Sequence, residues 1–298
     1  MNIAKSHGRL FLLALLGLAL RPTPILGSDD SVVAVLSSNS GPYQQAFESF
    51  QKAFGRSIPS YTLSAGEPAI PSGTRIIVAF GGKAALFPYP SGPLLIYCLA
   101  PGTQVKSDEH SGGVLNIDTN PSLNLTLAKF KELQPSLKRL AVLWAGDSIQ
   151  AYMDQKKEML RQVGVEMISD RVRNPDDLPD HLRALKGKVD AIWLPPDAAM
   201  VTPKNFATIK EFSLSNGIPF YVPSDGLVEQ GAMASVTCSF AEIGELAAKM
   251  TRLALNRSLT MDRVFPEKIH VAINLTSAKA CNLTMSTELV KQADKVFP

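Results

Sequence analysis

The chain has 298 residues, 45% of them hydrophobic, with 30 basic and 27 acidic side chains and three cysteines. That length suits two lobes of ordinary globular composition, and three cysteines exclude a disulfide-dense scaffold. Lys5, Arg9 and Arg21 fall within residues 1–27, which hold no acid; the remainder is neutral, 27 charges of each sign, and lacks the electrostatic footprint of a nucleic-acid or anionic-membrane binder.

Residues 1–27 read as a signal peptide. Lys5 and Arg9 precede an apolar run, Leu10 to Leu20, and Leu26-Gly27-Ser28 ends the segment. Eleven residues are too short for a bilayer that needs roughly 20. The expected location is therefore periplasmic, after export. The three cysteines, Cys98, Cys238 and Cys281, allow at most one internal disulfide, and Cys98 and Cys238 read more simply as small buried apolar side chains.

Strands and helices then alternate. The first strand, Val32–Leu36, leads into a helix with Tyr43, Phe47, Phe50 and Phe54 on one face. The three phenylalanines are core, whereas Tyr43 opens the helix at the strand edge. Further strands are expected at Arg75–Phe80, Leu94–Leu99, Val114–Ile117, Arg139–Trp144, Val165–Ile168, Ala191–Leu194 and Pro219–Val222. Helices are expected at Pro121–Leu133, Ile149–Val163, Pro175–Leu185, Pro203–Ser215 and Phe240–Leu255. Near-continuous apolar strands alternating with helices imply an α/β fold with parallel sheets covered on both faces. The turn-rich stretch Asn116 to Pro121 marks a boundary after which a new βα series begins. In such sheets ligands bind outside the carboxyl ends of the strands, and each half of the chain has one such edge.

Other chemistries are weaker. Ala145-Gly146-Asp147-Ser148 resembles the Gly-Asp-Ser signature of a secreted hydrolase, but no histidine has an aspartate three residues before it, and Asp147 reads better as a helix cap. Gly81-Gly82-Lys83 lacks the spacing of a phosphate loop and reads as a turn into a helix. The four histidines, His7, His110, His181 and His270, are scattered, so no metal site and no cofactor are expected. His181 reads as a solvated helix residue. Trp193 points opposite to Ile192 and Leu194 in its strand, and burial under a helix is its simpler role.

Several stretches carry a likeness in order: VAVLSSNSGPYQQAFESFQKAF, RIIVAFGGKAAL, LNIDTNPSLNLTLAKFKELQPSLKRLAVLW, KVDAIWLPPD, IPFYVPSDGLVEQGAMASVTCSFAEIGELAAKM and INLTSAKACNL. Together they resemble the ABC-transporter substrate-binding protein family that contains tryptophan- and tyrosine-binding members. The resemblance implies a type I periplasmic-binding-protein fold, with two Rossmann-like lobes, three crossovers and a ligand cleft between them. It places residues 29–118 and 238–272 in one lobe, and 119–237 and 273–298 in the other.

The resemblance also implies a ligand set. Ser37 and Ser38, with the amides of the helix that follows, would hold an anion. Tyr43 would stack on or hydrogen-bond the ligand, Gly81 and Gly82 would admit it close to the backbone, Asp197 would hold an amino group, and Ser224 and Asp225 would occupy the next strand edge. Gly82 stands where relatives often have a hydroxyl, and Tyr97-Cys98-Leu99-Ala100 replaces a polar strand ending; both imply a larger or more apolar pocket. The implied activity is capture, without catalysis, of an amino acid-like or small aromatic molecule by a monomer that delivers it to an ABC permease in the inner membrane. A module that docks on a receptor or histidine kinase is the alternative.

Overall fold

The computed structural model describes residues 31–146 and 164–298. The expected signal segment, Asp147, Ser148 and the expected helix Ile149–Val163 lie outside the described residues.

The first lobe begins with β1 (Val32–Leu36), α1 (Gly41–Phe54), β2 (Ser60–Thr62), β3 (Ile76–Phe80), α2 (Gly82–Ala85), β4 (Leu94–Cys98) and β5 (Val114–Ile117). The chain then crosses to the second lobe. There it forms α3 (Leu123–Leu133), β6 (Arg139–Trp144), β7 (Glu166–Arg171), α4 (Leu178–Leu185), β8 (Ala191–Trp193), α5 (Pro203–Asn216), β9 (Phe220–Val222), α6 (Asp225–Glu229) and β10 (Ala234–Thr237). It returns for α7 (Phe240–Leu255) and β11 (Arg263–Val264), then crosses a third time into β12 (His270–Asn274), α8 (Leu275–Ala280), α9 (Thr287–Gln292) and β13 (Lys295–Phe297).

Two sheets result. The first has the order β11-β5-β4-β3-β1-β2 and is parallel throughout. The second has the order β13-β12-β10-β9-β8-β6-β7, antiparallel only between β10 and β12. The resemblance put residues up to 272 in the first lobe, but His270–Ala272 hydrogen-bond in the second sheet, because β12 pairs with β10 from Thr237↔His270 onward.

Both sheets are covered on both faces, as their apolar strands require. In β1, Val32, Ala34 and Leu36 face a core shared with α1 and α7, while Val33 and Val35 face one with Ala84, Ala85 and Tyr89. In β6, Leu140, Val142 and Trp144 face α3, while Ala141 and Leu143 face α4 and α5. Helix α7 starts at a capping box, Ser239 with Glu242, and packs so closely on α1 that a Cβ on Gly244 would lie 2.0 Å from the Ala46 carbonyl oxygen. The three cysteines are buried free thiols, and burial pushes Cys238 up to about 12.

The last strand is tied down by a charge cluster. Asp225 accepts from Ser235 (3.0 Å) and lies 2.9 Å from both His270 Nε2 and Lys295 Nζ. Asp294 stands 3.6 Å from the other His270 nitrogen. Burial alone would raise the Asp225 carboxyl, but the Lys295 bond, the His270 charge and the Ser235 hydroxyl more than offset it and hold the group below the ordinary carboxylate value. A depressed folded value stabilises the protein above the unfolded value of about 4, and that stabilisation is lost as the pH falls through the folded value. Melting temperature should therefore drop more steeply below about pH 4 for the native protein than for Asp225→Asn. Parallel acid profiles for the two would show that the cluster contributes nothing.

Candidate functional site

The carboxyl ends of β4, β5, β8, β9 and β10 all face the gap between the lobes, and a cavity of about 400 Å³ lies there. That volume suits a small molecule. The first lobe contributes Tyr97 and the loop from Ala100 to Val105; the second contributes Thr126, Trp193, Pro195, Pro196, Val222 and Pro223. The rest comes from the end of β5 and the crossover after it (residues 116–121), from Val236 in β10, and from Asp262 and Arg263 at β11.

Each group is placed by local chemistry. The stretch Asn116 to Pro121 ends β5, and α3 then starts at the Ser122 cap, whose hydroxyl accepts from Leu125 N. Thr126 donates its hydroxyl to Ser122 O at 3.2 Å. Pairing of Arg263 with Asn116 and Val264 with Ile117 fixes β11 beside β5. Asp118 is thereby brought next to Arg263: its Oδ2 accepts from Arg263 Nη2 at 2.5 Å, and its Oδ1 accepts from Asn120 N at 3.1 Å. The Tyr97 hydroxyl donates to Thr103 O at 3.4 Å; burial raises its phenol above the ordinary value, and the nearby Val105 amide, Arg263 and Asn116 only partly offset this. The cavity thus combines an aromatic and proline wall with a polar floor.

Trp193 has two roles. It is nearly buried, as expected, and meets Phe130 of α3 edge-on at 5.9 Å. It also lines the cavity, so the core of the second lobe continues into the cleft.

None of the eight residues implied by the resemblance lines the cavity; they lie at or near the carboxyl ends of the strands around it. Ser37, Tyr43 and Gly81 come together: Gly81 has φ +102°, and a Cβ there would lie 2.5 Å from Ser37 Oγ and 2.8 Å from the Tyr43 ring. The Ser37 hydroxyl is buried and accepts from Ala84 N at 2.9 Å. Ser38 is partly exposed and accepts from Ser40 N. Gly82 lies behind the wall: a Cβ there would come 3.1 Å from Oγ1 of the lining residue Thr103. Ser224 is an exposed cap next to the lining residue Pro223.

The two aspartates are committed elsewhere. Asp197 is buried and accepts from the backbone amides of Ala145 (2.7 Å), Gly146 (2.8 Å) and Ala199 (3.0 Å). It braces the strand end that Pro195 and Pro196 present to the cavity. Asp225 belongs to the cluster around His270 described above. His181, expected to be solvated, is hydrogen-bonded at 2.9 Å to the Asp170 carboxylate.

Tyr97, Asn116, Asp118 and Arg263 did not stand out as ligand contacts in the sequence. A signal existed for three of them: Tyr97 lies in the strand ending read as making the pocket larger or more apolar. Asn116 and Asp118 lie in the turn read as a domain boundary, and in a two-lobed protein the crossovers floor the cleft. Arg263 had no such signal.

Residues 105–297 match the family model for ABC transporter substrate binding proteins. No curated protein matches the sequence. Among solved structures, the ABC domain in complex with L-Trp from Streptococcus pneumonia is 17% identical, with a TM-score of 0.59 over 89% of this chain and 100% of that one. A conserved domain protein from Vibrio cholerae is 15% identical, with a TM-score of 0.59 over 89% and 98%. The ligand-free, open structure of a substrate binding protein with adhesive properties from Clostridium difficile is 15% identical, with a TM-score of 0.66 over 89% and 98%. At these identities the likeness bears on the fold, which is that of type I periplasmic binding proteins. With that fold, and a family match over nearly two thirds of its length, the chain belongs to the ABC transporter substrate-binding protein family.

Proposed function

We propose that this protein is an exported solute receptor. It captures an amino acid-like or small aromatic molecule in the cleft between its lobes and hands it to an ABC permease in the inner membrane. The observation that carries this reading is the cavity of about 400 Å³, walled by both lobes and floored by the segments that join them. Ligand touching both walls favours the closed arrangement by its differential affinity for it.

Supporting details agree. The wall formed by Trp193, Pro195, Pro196 and Pro223 suits a flat apolar body, and the floor of Asn116, Asp118 and Arg263 suits a polar end. The pneumococcal neighbour was solved with L-Trp, a ligand of that chemistry. Ser38, Tyr43 and Ser224 lie further along the same strand edges, where closure would bring them to the ligand. Among the described residues no helix is long and apolar enough to cross a membrane, and the Leu10–Leu20 run supports export.

Thermal melting against amino acids, nucleosides, sugars and small aromatics tests the proposal. A ligand at a hundredfold excess over its dissociation constant adds about 2.7 kcal/mol, which raises the melting temperature by roughly 5–10 °C for a protein this size. A shift of that size with one chemical class is the expected result; a flat response across all of them counts against capture.

A further inference from the structure

We infer that Arg263 selects the ligand, its guanidinium anchoring a carboxylate of a small molecule whose apolar body lies against Trp193. This rests on the reading of the cleft as a capture site. Arg263 is the single cationic side chain among the described residues that line the cavity. Its backbone is held in register with Asn116, and its Nη2 is held by Asp118. The Phe265 ring lies 5.2 Å from the guanidinium carbon and covers one face.

The pair is turned in a particular way. The Asp118 side chain is 12% exposed and the Arg263 side chain 47%. The acid is therefore the inner, fixed partner, further tied by Asn120 N, and the cation is the outer one. An arginine has five N–H donors in a rigid fork, and Asp118 takes one edge of it. The remaining edge matches a carboxylate, with which arginine forms short, directional, charge-assisted bonds. A lysine offers the charge without the fork.

Charge balance narrows the class. The lining also carries the acids Asp118 and Asp262, so an anion without a compensating cation would meet net negative charge. A carboxylate that also bears an ammonium suits the floor better, and Trp193 with the neighbouring prolines suits an apolar side chain on it. The assigned class is therefore a small zwitterion with an apolar or aromatic body.

The test compares four probes on the same protein: L-phenylalanine, L-phenylalaninamide, 3-phenylpropionate and phenethylamine, with a nucleoside and a sugar as neutral references. Phenylalanine should bind best. Its amide should bind roughly 10- to 100-fold more weakly, because a charge-assisted pair is lost. Phenylpropionate should lie between phenylalanine and phenethylamine. Arg263→Gln should remove the preference for acid over amide, and Arg263→Lys should restore part of it, an outcome that a purely structural role for Arg263 would not produce. If Arg263→Gln fails to fold, the acid-to-amide ratio of the native protein and of Arg263→Lys carries the test alone.

An amide that binds as tightly as the acid overturns the inference. So does a folded Arg263→Gln protein that keeps the acid preference. Binding of only the nucleoside or the sugar overturns it while leaving capture intact. If no probe of any class binds, the capture reading falls and takes this inference with it.

Discussion

Replacing Trp193 with alanine should lower the melting temperature by about 6–20 °C and abolish the ligand-induced shift. Removing a buried tryptophan costs roughly 3–5 kcal/mol, and a protein of this size loses about 2–4 °C per kcal/mol. The high end is expected here because the ring belongs to a stack. Trp193 meets Phe130 edge-on, and Phe130 stacks on Tyr221 at 3.8 Å with its ring plane tilted by 21°. The Tyr221 hydroxyl donates to Gln134 Oε1 at 3.2 Å, and Gln134 in turn donates to Asp190 O. A cavity at Trp193 would therefore loosen α3 against β8 and β9 while also stripping the apolar wall of the cleft. Trp193→Phe keeps a ring in place and should recover most of the stability and part of the binding. Calorimetry of the two variants decides the matter: an alanine variant melting within 2 °C of the native protein would mean that the stack carries little energy.

The second large effect is expected at Gly244. A Cβ on this residue of α7 would lie 2.0 Å from Ala46 O, 2.8 Å from Ala46 C and 3.0 Å from Phe50 N, all backbone atoms of α1. Side chains yield to a new methyl group, but two helical backbones can only move apart. Overpacking of this kind costs about 3 kcal/mol at the upper end of its usual range, against about 1 kcal/mol gained from better helix propensity. Gly244→Ala should therefore melt roughly 4–8 °C lower. Gly226 is the internal control. It sits in α6 with nothing within 4 Å of its added Cβ, so Gly226→Ala should be neutral or stabilising by about 0.4–1 kcal/mol. A Gly244→Ala protein as stable as Gly226→Ala would show that α1 and α7 separate at little cost.

Much of the scaffold was legible because local pattern carries it. Val32–Leu36, Val114–Ile117, Arg139–Trp144 and Phe240–Leu255 fall where periodicity and caps place them. The strand expected at Val165–Ile168 instead runs from Glu166 to Arg171. It lies at the sheet edge, where the polar residues Ser169, Asp170 and Arg171 are tolerated and hydrophobicity no longer marks the end. The strands Ser60–Thr62, Ala234–Thr237, Arg263–Val264, His270–Asn274 and Lys295–Phe297 were not expected. They span two to five residues, too few for a period to show, and they exist because a neighbouring strand offers its hydrogen bonds.

The candidate site divides along the same line. The strand ends that face the cleft follow from alternating strands and helices and from the kinks at Pro195-Pro196 and Pro223. Which side chain turns into the cleft does not. Asp197, one residue past the proline pair, has its carboxylate drawn to three backbone amides, a choice that depends on where the Ala145–Gly146 loop lies.

By itself, then, the amino-acid sequence determined the alternation of buried strands and amphipathic helices, the two-lobed α/β class, the burial of Cys98 and Cys238 and the strand edges at which the cavity opens. Those properties follow from side-chain periodicity over a few residues. The tertiary structure alone decided that Arg263 stands beside Asp118, 145 positions away in the chain, and that Trp193 serves both a core and a cavity wall. Such pairings depend on strand register and side-chain direction across crossovers, which long-range hydrogen bonding and packing set and no local pattern encodes.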